Sequence, residues 1–178
     1  MHLNEKLTPA GKELTLKAAD GYQLAATLFQ ASTPVKGTIL VAGATGVQQK
    51  LYRRFAGFAA SQGYTTLTFD YRGIGRSAPQ DLRNFPANYL EWGYMDAAAA
   101  VDYLTRNTEQ IYLVGHSFGG YVPGLLPKPE KLKAAYCFGT GAAWTGWMSR
   151  SEGLKVSLLW KVVLPLIVKL KGYMAWSL

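Results

Sequence analysis

Histidine is scarce in this sequence. Its 178 residues contain two, His2 and His116, although histidine is the side chain that most often moves protons near neutral pH. Cysteine is scarcer still. The single Cys137 excludes an internal disulfide framework, and its setting in Ala134-Ala135-Tyr136-Cys137-Phe138 predicts a buried core thiol. Long apolar runs are missing. The longest candidate, Val156 to Leu170, is broken by Lys161, Pro165 and Lys169, so nothing reaches the roughly eighteen residues of a spanning helix. The opening Met1-His2-Leu3-Asn4-Glu5-Lys6 lacks an apolar signal core, which predicts a cytoplasmic protein. Acidic residues are few, 11 against 19 Lys and Arg, for a net charge of +8. That balance suits nucleic acid or anionic membrane. Apart from Arg53-Arg54 and the lysines near the end, however, the basic residues are scattered. None of the basic stretches carries interleaved aromatics, so no nucleic-acid partner is expected.

Hydrophobic residues make up 49% of the chain, enough for a sizeable core. The length fits one domain or part of a larger one. Glu13–Lys17 and Tyr22–Phe29 read as two strands joined at Asp20-Gly21, a hairpin signal. Gly37 to Gly43 is a nearly continuous apolar strand of the kind buried on both faces of a parallel sheet. A loop, Gly43-Ala44-Thr45-Gly46-Val47, follows it. Leu51 to Ser61 reads as a helix with apolar positions 51, 55, 58 and 59. Tyr64 to Phe69 is a strand leading into Asp70-Tyr71-Arg72-Gly73-Ile74-Gly75-Arg76-Ser77. Tyr89 to Thr105 has Leu90, Tyr94, Ala97, Val101 and Leu104 at helical spacing. Ala134 to Phe138 is a further strand. Strands alternating with helices predict an α/β fold: a mostly parallel sheet led by an antiparallel hairpin.

The most informative stretch is Ile111-Tyr112-Leu113-Val114-Gly115-His116-Ser117-Phe118-Gly119-Gly120. A β-prone run feeds into Gly-x-Ser-x-Gly, with a helix-compatible segment from Phe118 to about Leu126 behind it. This context is what the mechanics of a serine nucleophile require. The turn is sharp, the serine sits at its apex, and glycines stand where side chains would collide. Backbone N–H groups beside Ser117 would stabilise a developing oxyanion.

Three stretches give the chain a resemblance to the α/β-hydrolase fold. It is similar, more narrowly, to bacterial predicted α/β hydrolases of the serine-aminopeptidase-like kind. They are Val41–Val47 with Tyr52-Arg53-Arg54-Phe55, Thr68–Ser77, and the serine turn. The resemblance implies a serine hydrolase that cleaves a carboxylic ester or related acyl bond through an acyl-enzyme on Ser117. It also implies a small-molecule acyl substrate and neither cofactor nor metal. Phe118 N–H would be one oxyanion donor. Ala44 N–H would be the second, with Thr45 as the neighbouring alternative. His116 would point away from the reacting face, and Asp70 would tie down its own loop.

Ser117 still needs a base and an acid, which in this fold follow the serine in the order acid, then His. No histidine follows Ser117, and after residue 140 the only carboxylate is Glu152. The chain therefore reads as C-terminally truncated, with the triad acid and His beyond its end. Residues 1–143 would be the front of the hydrolase core and 144–178 a partial helical lid. The alternative is a catalytically inactive binding or interaction module that keeps the scaffold. The tail crowds Trp144, Trp147, Trp160 and Trp176, and it places Leu154, Leu158, Val162, Leu166 and Leu170 four residues apart. A helix packed on its own core, a lid over an acyl pocket and a membrane-surface helix all fit this pattern. An exposed apolar face there would also favour self-association.

Overall fold

The computed structural model describes residues 10–32, 34–83, 85–108, 110–141 and 144–173; His2 and Trp176 lie outside them. Six strands form one sheet in the order β1-β2-β4-β3-β5-β6. β1 (Lys12–Lys17) and β2 (Gln23–Phe29) pair antiparallel around the Asp20-Gly21 turn, with Leu16 opposite Leu24. β2 also runs antiparallel to β4 (Tyr64–Phe69). β4, β3 (Gly37–Ala42), β5 (Ile111–His116) and β6 (Leu132–Phe138) are mutually parallel. The mostly parallel α/β sheet led by an antiparallel hairpin is thus as expected, and β2 alone runs against the rest. Leu40, Leu67, Ile111 and Leu113 of the central strands are all but inaccessible. These positions explain the apolar composition of strands covered on both faces.

Local readings differ from the structure in three places. Helix α1 (Arg53–Ser61) forms, preceded by a 3₁₀ turn at Gln49–Tyr52. Its buried face is Ala56, Gly57, Ala59 and Ala60, while Leu51, Phe55 and Phe58 are exposed. Small residues allow the helix backbone to sit close to the sheet, and packing distance decides the face here rather than hydrophobicity alone.

The segment expected as one helix over 89–105 is α2 (Tyr89–Glu91), a π-helical turn (Trp92–Ala97) and α3 (Ala98–Thr105). The wider turn changes the phase of the pattern. Leu90 and Tyr94 become exposed, and Trp92, Gly93 and Asp96 join Ala97, Val101 and Leu104 inside.

The third difference is Cys137, which is exposed rather than buried. β6 is the last strand of the sheet, and its residues from Lys133 to Phe138 are all exposed. An apolar strand looks the same in sequence whether or not its faces are covered. We expect a thiol reagent to titrate one equivalent per chain in native buffer as fast as in denaturant. Reaction only after unfolding would show the thiol to be shielded.

The described residues divide into two compact units. One runs to Ala78 and resumes over Ala87–Thr140; it contains the sheet. The other comprises Pro79–Pro86 and the chain from Gly141 onward. Within the second unit, α5 (Arg150–Leu158), a π turn (Leu159–Val163) and α6 (Leu164–Lys171) follow one another without a break. Ser149 caps the start in a capping box with Glu152, and Gly172 ends the helix in the left-handed region at φ 79°. The Ser-x-x-Glu signature of that cap is legible in the sequence.

Candidate active site

β5 ends at His116, and Ser117 adopts φ 51°, the only non-glycine residue with positive φ among those described. L-residues avoid this region at a cost of order 1 kcal/mol or more, and such strain concentrates at functional sites. A 3₁₀ turn (Ser117–Gly120) and α4 (Val122–Leu125) follow. The glycines act by absence of a side chain. A Cβ on Gly115 would lie 2.6 Å from Gly119 O, and one on Gly119 would lie 1.9 Å from Ala42 O of β3. On Gly120 it would lie 2.0 Å from Thr140 Oγ1, whose hydroxyl donates to Ser117 O at 3.0 Å. The expected strand–serine–helix turn is therefore held against the central strand and the loop after β6.

Phe118 is buried, and its ring is the hub of an aromatic cluster. It meets Tyr71, Tyr89 and Trp92 nearly edge to face, with centroids 5.6, 5.0 and 5.3 Å away. Tyr71 also stacks on Trp92 at 4.9 Å. These contacts fix the residue whose N–H is the first expected oxyanion donor.

Ala44 sits buried in the loop after β3, as the pattern predicts, but its N–H donates to Tyr52 Oη at 2.9 Å. Tyr52 Oη lies 3.0 Å from His116 Nδ1, one donating to the other according to the imidazole tautomer. Burial raises the Tyr52 phenol above its ordinary pKa. Thr45 Oγ1 accepts from Tyr89 O–H at 2.7 Å. Sequence reasoning gave Tyr52 no role of its own; it stood only within a matching stretch. His116 packs with its ring stacked on Phe138 at 4.7 Å and edge-on to Tyr52. It is the only histidine among the described residues.

Asp70 ties its own loop, as the resemblance implies, and a second one as well. Oδ1 accepts Gln49 N–H at 2.7 Å; Oδ2 accepts Gln49 Nε2 at 3.0 Å and Arg76 N–H at 3.1 Å. Gly75 takes φ 52°, and a Cβ there would press on the Asp70 carboxylate at 2.7 Å. Ser77 Oγ donates to Asp70 O and accepts Ala25 N–H, pinning the same loop to β2.

Next along this loop, Arg72 forms a buried ion pair that the sequence gave no sign of. Its Nε and backbone N–H donate to Asp96 Oδ1 and Oδ2 at 2.8 and 2.9 Å, and Nη1 donates to Asp20 Oδ2 at 2.7 Å. Arg72 is 5% exposed and Asp96 0%. Burial pushes the Asp96 carboxyl up, while its hydrogen bonds from Arg72 pull it down. Burial likewise opposes charge on Arg72, but its bonds to Asp96 and Asp20 hold the guanidinium charged. Trp92 Nε1 donates to Arg72 O at 3.1 Å, linking the pair to the Phe118 cluster. No group of three or more His, Cys, Asp or Glu residues capable of holding a metal occurs among the described residues.

A parallel sheet with a strained serine between its fifth strand and the helix behind it defines the α/β-hydrolase class. The chain belongs to the alpha/beta hydrolase family, whose profile matches residues 26–172. No curated protein sequence matches it. Among solved structures it resembles an epoxide hydrolase, VrEH1 from Vigna radiata, at 23% identity and TM-score 0.58, covering 76% of this chain and 39% of that one. It also resembles the alpha/beta hydrolase GrgF from Penicillium sp. sh18, at 22% and 0.58, covering 72% and 45%. The Pyrococcus furiosus esterase Pf2001 matches at 19% and 0.53, covering 68% and 48%. At these identities the likeness speaks for the fold. The matched region spans less than half the length of each of these three structures.

Proposed function

We propose that this chain carries the nucleophile of a serine hydrolase acting on a carboxylic ester or related acyl bond. The observation that carries this reading is the Ser117 turn: φ 51°, with glycines at 115 and 119 where any side chain would strike backbone. Ser117 Oγ would attack the acyl carbon and expel the alcohol, and water would then release the acid. Phe118 N–H and one N–H of the Ala44–Thr45 pair would hold the oxyanion. Ala44 N–H can do so only by exchanging Tyr52 Oη for the substrate oxygen, because the two are bonded now. Base and acid come from outside these residues in this reading, since no histidine follows Ser117.

A second reading is a non-catalytic module that keeps the scaffold: His116, the one histidine among the described residues, packs on Tyr52 and Phe138 and does not serve Ser117 as a base. A fluorophosphonate probe separates the two. We expect the polypeptide made by the native source to label at Ser117, and a Ser117→Ala variant not to. The 178-residue chain should label slower by about 10²- to 10⁴-fold, the usual worth of a positioned base. If the native polypeptide stays unlabelled, the hydrolase reading fails and the binding module stands.

A further inference from the structure

The hydroxyl of Tyr52 stands where a substrate oxygen is expected. Ala44 N–H, the backbone donor expected for the oxyanion, points at Tyr52 Oη at 2.9 Å. The same oxygen lies 3.0 Å from Nδ1 of His116, the residue that immediately precedes Ser117. Tyr52 is thus tied both to the loop after β3 and to the serine turn, and all of these residues belong to the unit that contains the sheet. Its ring is buried and lies against Gly43, where a Cβ would come within 3.0 Å of Cε2. Freeing Ala44 N–H for a substrate would mean moving that packed ring or the loop.

Counting hydrogens gives a route that needs no such movement. A tyrosine hydroxyl has one hydrogen and two lone pairs. With the imidazole hydrogen of His116 on Nε2, Tyr52 accepts from Ala44 and donates to Nδ1, so its hydrogen is spent. With the imidazole hydrogen on Nδ1, Tyr52 Oη accepts from Ala44 N–H and from His116 together. Both lone pairs are then used, and the hydrogen of Tyr52 is left to donate elsewhere. Donors on its oxygen polarise the O–H and strengthen it. Burial raises the phenol above its ordinary pKa, so the hydrogen stays on Tyr52. The stack of His116 on Phe138 holds the imidazole in place.

We propose that the Tyr52 hydroxyl, held by Ala44 N–H and His116, is the second hydrogen-bond donor to the oxyanion formed at Ser117, in place of Ala44 N–H itself. Tyr52 is then a catalytic residue and His116 a positioning residue that acts through it. The inference rests on Ser117 being the nucleophile.

The test is labelling of the full polypeptide of the native source by a fluorophosphonate, whose phosphoryl oxygen gains charge as Ser117 Oγ bonds to phosphorus and fluoride leaves. Tyr52→Phe keeps the ring and removes the hydroxyl. We expect its maximal labelling rate to fall about 10²- to 10³-fold, the usual loss on removing one oxyanion donor. The half-saturating probe concentration should not change, because the charge develops only in the transition state. His116→Leu should slow labelling several-fold, the ordinary worth of one hydrogen bond. His116→Asn retains an N–H near the Nδ1 position and should lose less. Circular dichroism and the urea midpoint report the fold; if Tyr52→Phe does not fold, the two His116 variants decide. Tyr52→Phe labelling as fast as wild type, or a loss confined to probe affinity, would overturn the proposal while leaving Ser117 the nucleophile. So would His116→Leu labelling as fast as wild type. A wild-type polypeptide that stays unlabelled would overturn it together with the hydrolase reading.

Discussion

Gly119→Ala should not yield a folded protein. The added Cβ would lie 1.9 Å from Ala42 O and 2.6 Å from Ala42 C. Both are backbone atoms of β3, a strand paired on both sides with β4 and β5. No rotamer change relieves such a clash. Either the central strand or the serine turn must move, and each is held by its neighbours. The expected loss exceeds about 4 kcal/mol, against a total stability of roughly 5–15 kcal/mol for a domain. The measurement is soluble yield together with urea unfolding. Gly124→Ala is the control: it lies in α4 with nothing within 4 Å of the new Cβ. There alanine should be neutral, or stabilising by up to about 1 kcal/mol. If Gly119→Ala unfolds as late in urea as Gly124→Ala, the close crossing of the serine turn over β3 is wrong.

Asp96→Ala should be the next most damaging change. It removes the main partner of Arg72 while leaving the guanidinium 5% exposed in the interior. Truncating one member of a buried pair typically costs about 3–5 kcal/mol, because the other charge stays behind without compensation. Asp20 and Glu91 are partial substitutes at best: both approach only Nη1, at 2.7 and 3.5 Å, and Asp20 is itself partly exposed. The backbone N–H of Arg72 would lose its acceptor as well. A double variant, Arg72→Met with Asp96→Leu, separates charge from packing. It should recover most of the loss, since apolar pairs of similar size often replace buried ion pairs without penalty. Urea midpoints of the two variants test this. A loss below about 1 kcal/mol in Asp96→Ala would show that Asp20 and Glu91 suffice to hold the guanidinium.

What the sequence made legible follows the range of the physics involved. The serine turn, the hairpin at Asp20-Gly21 and the apolar β3 are local patterns, and each appears where it was expected. The capping boxes at Asn88 and Ser149, with Glu91 and Glu152 as the returning partners, are equally local, though the reading of the sequence passed over them. The misses come from contacts at long separation. Nothing around Arg72 points to Asp96, because a turn and a helix register have to form before the two meet. Tyr52 is only eight residues from Ala44, but its hydroxyl reaches that N–H only once the 3₁₀ turn Gln49–Tyr52 has formed, and no residue pattern announces the contact. The two π turns escape a fixed helical period, since one wide turn shifts every later position. Cys137 looked buried because local hydrophobicity says nothing about which strand ends up at the edge of the sheet.

The strand order also governs how the chain can fold as it is made. β3 lies at the centre, but its two partners arrive at very different times. β4 follows after a single helix, whereas Thr38 pairs with Ile111 only after α1, β4 and α3 have been synthesised. At about 5–20 residues per second, translation leaves that side of β3 open for on the order of ten seconds. During this interval an apolar strand with unpaired backbone groups is available to any other strand it meets. The nascent chain is therefore most vulnerable to misassembly before Gln110–Gly120 emerges, and pairing at such sequence separation is slow. A rare codon or pause just upstream of β5 would lengthen the exposure, and faster delivery of β5 would shorten it.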